Sequence, residues 1–291
     1  MKLKIDGHSK IYALLGHPVE HTASCAMHNA AFKALGINAC YIALDVKPKY
    51  LKEALTSLTA LNVAGVNVTI PHKQTCMKYL DKIDSQAKNI GAVNTIINKN
   101  GKLIGYNTDA DGFIDSLKFD AVFSVKNKSI FIMGAGGAAR AIAFSLAEKK
   151  PKVVYIQDIK DGLSSSLVRS IKKYYPKVNV IAISFKDKKK TENFLSEVNL
   201  FINATGVGLK KKDPLVIDVK FLNKRALVYD LIYNPKEPVL LKAAKKRGLK
   251  VLNGEGLLLY QGLRAFKIWT NKRPEVKLYK KALRSFLKSK S

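Results

Sequence analysis

The residues in this chain that could do chemistry gather at the ends of short apolar runs. In Asn67-Val-Thr-Ile-Pro-His-Lys73, Thr69 and Lys73 follow a run that reads as a buried strand. A lysine there offers donors to a hydroxyl or carbonyl oxygen, and burial can tune it for proton transfer. Read alone, it is a solvated lysine at a helix start. Asn94, inside Gly91-Ala-Val-Asn-Thr95, and Asp109, closing Gly105-Tyr-Asn-Thr-Asp109, read singly as turn residues. Thr22 and Ser24 stand before a predicted helix. Their hydroxyls suit either an N-cap or a substrate carboxylate bound at the helix N-terminus. His17 and His21 are four apart, but Pro18 and the turn spoil a helical pair, so no metal is expected.

A second set surrounds Gly134-Ala-Gly-Gly-Ala-Ala139. The apolar run 130–133 reads as a strand and 138–149 as a helix, so the glycines lie in a strand-to-helix turn. That is the dinucleotide fingerprint G-x-G-x-x-G/A, with Ala139 in the third place. The helix N-terminus offers N–H groups and partial positive charge to a pyrophosphate. A plain strand-turn-helix would also use glycine, but Asp158 follows Ala139 by 19 residues, at the end of the run 153–157. An acid there meets the adenosine ribose 2′-OH.

The positioning elements alternate. Strands are predicted at 11–15, 39–45 and 64–70, with helices at 24–35, 48–61 and 84–91. Segments 93–98 and 103–107 flank Lys99-Asn-Gly101, a hairpin signal, and 109–117 reads as a linking helix. Beyond the glycine turn come strands near 178–183, 200–203 and 227–230, a helix at 238–247, and helices at 257–269 and 276–288. The fold class is α/β, with two domains and a cleft between them. The expected boundaries are 1–108, completed by helices within 253–291, and a Rossmann-type dinucleotide-binding domain at 109–252.

The 291 residues are enough for about two domains, and 47% apolar content fits a globular chain. No apolar run reaches the roughly 18 residues of a membrane span. Lys2 and Lys4 are followed by Asp6 and only 11–15 are apolar, so no signal peptide is expected. Three cysteines, an odd number without metal spacing, read as free thiols in a reducing cytoplasm. The net charge of +29 raises nucleic acid as a partner. Yet the lysines are scattered, as in Lys186-Asp-Lys-Lys-Lys190 and Lys210-Lys-Lys212, without basic–aromatic alternation. A diffuse field drawing in anionic substrate and cofactor is the expectation, with no nucleic acid. Leu283, Phe286 and Leu287 among lysines make a basic amphipathic tail. It is expected to be a solvated outer face, with no membrane partner.

These segments, in this order, resemble the shikimate dehydrogenase family nearly end to end. The resemblance is carried by Gly16-His-Pro-Val-Glu-His-Thr-Ala-Ser24, by 67–73, by 91–95, by Tyr106-Asn-Thr-Asp109 and by 134–139. It continues in Asn203-Ala-Thr205, Tyr229-Asp-Leu-Ile-Tyr-Asn-Pro235 and Asn253-Gly-Glu-Gly-Leu-Leu-Leu-Tyr-Gln261. The resemblance implies reversible reduction of 3-dehydroshikimate to shikimate with a nicotinamide cofactor, in aromatic amino-acid biosynthesis. It makes Lys73 and Asp109 the catalytic dyad and the first domain the substrate domain. Thr22 and Ser24 would hold the ring carboxylate, and Thr69, Asn94, Asp109, Tyr233 and Gln261 would surround the ring hydroxyls. Gly134, Ala135, Gly136, Gly137, Ala138, Thr205, Leu231 and Gly254 would contact the cofactor. A monomer or homodimer is expected.

Four positions depart from the family pattern. Thr22 stands where serine is usual, Cys25 replaces a proline, and Glu255 stands in place of an apolar residue. Gln157-Asp-Ile159 replaces the usual Asn-Arg-Thr, so the arginine that would grip a 2′-phosphate is missing. Asp158 therefore predicts NAD, with NADP as the alternative. Two other readings are a quinate/shikimate dehydrogenase using NAD and, from another class, a basic Rossmann-fold nucleic-acid-binding protein.

Overall fold

The computed structural model describes residues 5–210 and 212–289. Lys2, Lys4 and Lys211, which entered the leader and charge readings, lie outside the described residues. The chain divides into two units: the first runs to Gly112 and resumes at Leu258, and the second is Phe113–Leu257.

The first unit alternates β1 (Lys10–Gly16), α1 (Ser24–Ala34), β2 (Ala39–Asp45), α2 (Leu51–Ala60) and β3 (Val63–Val68). Then come β4 (Lys82–Ile83), α3 (Ser85–Ile90), β5 (Thr95–Lys99), β6 (Lys102–Tyr106) and the start of α4 (Asp109–Asp120). The sheet order is β2-β1-β3-β5-β6-β4. Its first three strands run parallel, while β5 is antiparallel to both neighbours. The expected helix 48–61 opens as a 3-10 turn, Pro48–Tyr50. β3 stops two residues before the expected end. Thr69 N–H still donates to Leu15 O at 2.8 Å, but Pro71 has no N–H with which to continue. The hairpin signal is met by Asn100 and Gly101 at φ 53° and 81°, as a two-residue hairpin turn requires.

One face of this sheet packs Leu15, Val66, Val68 and Ile96 against Leu51 and Leu55 of α2. Tyr12 and Tyr41 belong to an aromatic cluster with His28 and Phe32 of α1 and Phe266, Trp269 and Tyr279. The last three lie on the C-terminal helices numbered α9 (Glu255–Thr270) and α10 (Val276–Ser289) below. Trp269 Nε1 donates to Ile96 O at 2.9 Å, and Tyr279 OH lies 2.9 Å from His28 Nδ1.

The second unit carries β7 (Ser129–Met133), α5 (Gly137–Glu148), β8 (Val153–Asp158), α6 (Asp161–Tyr174), β9 (Val180–Ser184) and α7 (Lys188–Leu195). It continues with β10 (Leu200–Asn203), β11 (Leu227–Asp230), α8 (Val239–Lys246) and β12 (Lys250–Leu252), before α9 and α10. All six strands run parallel, in the order β12-β11-β10-β7-β8-β9. This is the doubly wound order of dinucleotide-binding sheets. Every residue of β7 is buried, as a strand covered on both faces must be. The order reverses between β7 and β10, so a crevice at their carboxyl ends is where such a sheet binds ligands. Among the described residues, no helix is long and apolar enough to cross a membrane.

Candidate active site

Parallel β1 and β3 end at the edge of the sheet where antiparallel β5 begins, since Leu15 pairs with Val68 and Asn67 with Thr95. The loops after β1 and β3, the residues before β5 and the start of α4 therefore meet at that edge. They carry Thr22 and Ser24, Thr69 and Lys73, Asn94, and Asp109 respectively.

Lys73 is not the solvated lysine of the simpler reading. Its Nζ donates to Asp109 Oδ2 at 2.6 Å, with only 14% and 8% of the two side chains exposed. Val93 N–H donates to Lys73 O at 2.7 Å and anchors the loop. Asn94 Nδ2 donates to the other oxygen, Asp109 Oδ1, at 2.8 Å. The amide cannot be reversed, because Asn94 Oδ1 accepts Thr108 N–H at 2.7 Å and the Thr95 hydroxyl at 3.0 Å. Asn107 Oδ1 accepts the N–H groups of Asp109 and Ala110, which fixes the first turn of α4. Gln261 Oε1 lies 3.5 Å from Asn94 Nδ2, so Gln261 joins the cluster from α9.

Sequence reading gave no role to a supporting layer below these residues. Asn67 Nδ2 donates to Asn94 O and Thr95 Oγ1, and Asn67 Oδ1 accepts the Tyr41 hydroxyl at 2.8 Å. The available signal was a pair of amides inside otherwise apolar strand segments, where unpartnered polar groups are costly. The N-cap reading of Thr22 and Ser24 is corrected in position: the cap residue is Ala23, which has no side-chain cap bond of its own. Ser24 is the first helical residue and is buried, while Thr22 Oγ1 accepts Ser24 N–H at 3.2 Å. Thr69 sits between β3 and Pro71, with its methyl against Gly16. His17 Nδ1 pairs with Asp45 Oδ1 at 2.8 Å.

In the second unit the glycine turn joins β7 to α5. Gly134 has φ +109°, and a Cβ there would stand 2.8 Å from Ala204 O, so only glycine fits. Gly136 is the cap residue of α5 and offers no side-chain cap, and a Cβ on it would meet nothing within 4 Å. Gly137 and Ala138 form the first turn, and buried Ala139 lies behind them on the helix. Asp158 ends β8, and its oxygens accept Ala135 N–H at 2.8 Å and Lys160 N–H at 2.9 Å. An uncapped helix N-terminus beside a carboxylate on the next strand fits a dinucleotide. Thr205 follows β10, and Leu231 and Tyr233 follow β11. Gly254 lies so close to the Leu231 carbonyl that a Cβ would collide with it. Burial raises the Asp230 carboxyl, at the end of β11, to about 6. Tyr233 belongs to this second unit, apart in the chain from the other residues assigned to the substrate ring.

Two family descriptions match the chain: the shikimate dehydrogenase substrate binding domain over residues 14–96 and the shikimate 5′-dehydrogenase C-terminal domain over 254–284. The chain is 46% identical to the shikimate dehydrogenase (NADP(+)) of Methanococcus maripaludis, over 97% of this chain and 99% of that one. A solved shikimate dehydrogenase in complex with NADP+ superposes with a TM-score of 0.89 at 42% identity, covering 98% of each chain. Shikimate 5-dehydrogenase from Listeria monocytogenes, in complex with shikimate and NAD, gives 0.89 at 35% identity, over 97% of this chain and 99% of that one.

Proposed function

The chain belongs to the shikimate dehydrogenase family, and on that premise we propose that it interconverts 3-dehydroshikimate and shikimate with a nicotinamide dinucleotide. The observation that carries the reading is the buried Lys73–Asp109 pair, at a sheet edge already furnished with amide and hydroxyl groups. Oxidising a secondary alcohol removes a hydride from carbon and a proton from oxygen. The dinucleotide supplies the hydride chemistry. Lys73 Nζ moves the proton at the reacting oxygen, taking it in oxidation and returning it in reduction. Asp109 holds that amine in place and accepts from a neighbouring ring hydroxyl. A polyhydroxy acid recognised this way is discriminated steeply, because a missing hydroxyl leaves buried partners unpaired.

Thr22 and Ser24 take the ring carboxylate, and Thr69, Asn94, Asp109, Tyr233 and Gln261 take the ring and its hydroxyls. Gly134, Ala135, Gly136, Gly137, Ala138, Thr205, Leu231 and Gly254 hold the dinucleotide, with Asp158 at the adenosine ribose. We assign substrate binding to 1–108 with helices of 253–291, and dinucleotide binding to 109–252. We further propose NAD over NADP. Asp158 accepts two backbone N–H groups, and the neighbouring position is Ile159 rather than arginine. A cytoplasmic monomer or homodimer, with its positive field drawing in anionic ligands, completes the proposal. Initial rates with shikimate and quinate, each with NAD+ and NADP+, test it. Turnover of shikimate supports the reading, and turnover of quinate alone replaces it with the quinate enzyme. RNA binding without turnover of either compound overturns it.

A further inference from the structure

The carboxylate of Asp230 belongs to neither the dyad nor the glycine turn, yet the segments around Thr205 and Gly254 are both linked to it by hydrogen bonds through Asn203 and Ile232. Asp230 and Asn203 are register partners at the carboxyl ends of β11 and β10, and both are fully buried. Asp230 Oδ2 accepts Asn203 Nδ2 at 3.1 Å, and Asp230 Oδ1 accepts Ile232 N–H at 3.0 Å. Asn203 Nδ2 spends its second hydrogen on Val207 O at 3.0 Å. With both amide hydrogens committed, Asn203 Oδ1 must face Thr205, and it accepts both Thr205 N–H at 3.1 Å and the Thr205 hydroxyl at 2.7 Å. That leaves the Thr205 methyl beside Gly134, where a Cβ on the glycine would stand 3.2 Å from it. On the other branch, Ile232 O accepts Gly254 N–H at 3.1 Å, beside the Leu231 carbonyl that Gly254 packs against.

We propose that Asp230 is a positioning residue for the dinucleotide site, fixing Thr205 through Asn203 and Leu231 and Gly254 through Ile232. The proposal rests on the reading that these loops hold a nicotinamide dinucleotide. Among the described residues, Asp230 has no cation within ion-pair distance, and both its oxygens meet neutral N–H donors. Burying a carboxyl without a countercharge costs stability, and burial accordingly raises its pKa. What offsets the cost is geometry. A carboxylate accepts from two donors at once, whereas an amide in its place turns one N–H toward another N–H.

The test uses the full chain and direct titration with the fluorescent reduced dinucleotides NADH and NADPH. Asp230→Asn should weaken the better-bound dinucleotide about tenfold, equivalent to about 1.4 kcal/mol. The KM for shikimate should stay within about twofold at saturating dinucleotide. Combining Asp230→Asn with Thr205→Ala should weaken binding less than the two single losses multiplied, because both changes act on one chain of bonds. Asn203→Leu cuts the same link from the other side and carries the test if Asp230→Asn does not fold. A folded variant with unchanged dinucleotide affinity, or with equal rises in both KM values, overturns the inference alone. A wild-type chain that binds neither NADH nor NADPH overturns the dinucleotide reading with it.

Discussion

Lys73 and Asp109 lie 36 residues apart, yet Nζ stands 2.6 Å from Oδ2 where a loop after β3 meets the first turn of α4. Neither element makes the pair by itself. The antiparallel insertion of β5 and β6 beside β3 brings the end of β6, and so Asp109, back to the edge where β3 ends. Desolvation offsets much of the attraction in a pair this buried, so the pair is weak evidence of stabilisation. Its stronger consequence is placement: an amine held at one point, with its partner's second oxygen fixed by Asn94.

The proposed carboxylate recognition rests on the hydroxyls of Thr22 and Ser24. Shikimate methyl ester should be a poor substrate if Thr22 and Ser24 take the ring carboxylate as proposed. Replacing both by alanine should lower kcat/KM for the acid by more than about tenfold, since hydrogen bonds to charged groups carry about 1.5–3 kcal/mol each. The ester should lose far less. Equal losses for acid and ester would remove these residues from carboxylate binding.

The proposed preference for NAD turns on Asp158. A 2′-phosphate brings about −1.5 to −2 charges toward that carboxylate. Two unit charges 4 Å apart repel by about 4 kcal/mol at an effective dielectric of 20. Screening and side-chain movement leave about 1–3 kcal/mol, or roughly 5- to 150-fold in kcat/KM favouring NAD. Asp158→Asn should narrow that gap. A wild-type preference for NADP would show that Lys160 governs the pocket, though lysine lacks arginine's two-pronged grip.

Stability in acid depends on His28. Burial in the aromatic cluster lowers its pKa from 6.5 to about 3, and among the described residues its Nε2 has no hydrogen-bond partner. The unfolded chain takes up a proton below pH 6.5 that the folded chain refuses until about pH 3, so stability is lost as pH falls across that window. The slope from this one group approaches about 1.4 kcal/mol per pH unit. Asp230, with a raised pKa, works in the opposite sense but is common to both proteins being compared. Urea unfolding at pH 7, 5.5 and 4.5 should show a shallower acid loss for His28→Phe, which keeps the ring stacked on Tyr41. Parallel curves for variant and wild type would refute this assignment.

How legible these features were in the sequence depended on how local they are. The glycine turn, Ala139 and Asp158 lie in consecutive elements of one βαβ unit, so their spacing alone reports their geometry. The strands 39–45, 200–203 and 227–230 were legible to the residue because apolar runs and polar ends bound them. β4 and β12, of two and three residues, are too short to carry a period. α7 begins with three lysines and reads as a loop until Asp187 is seen accepting Lys190 N–H. The dyad came from resemblance, since Lys73 and Asp109 taken singly look like a solvated lysine and a turn acid. The Tyr41–Asn67–Asn94 support and the His28–Tyr279 contact were beyond sequence reasoning, because tertiary packing alone joins residues so far apart in the chain.

Steady-state kinetics of Lys73→Ala with shikimate show whether Lys73 moves the proton. Proton transfer by a positioned group contributes about 10²–10⁴-fold. The expected result is a fall in kcat of that size with a KM for shikimate changed only a few-fold, in a variant whose melting curve shows it folded. A Lys73→Ala enzyme that keeps its kcat while its KM rises would leave Lys73 a binding residue only, with the proton moved by another group.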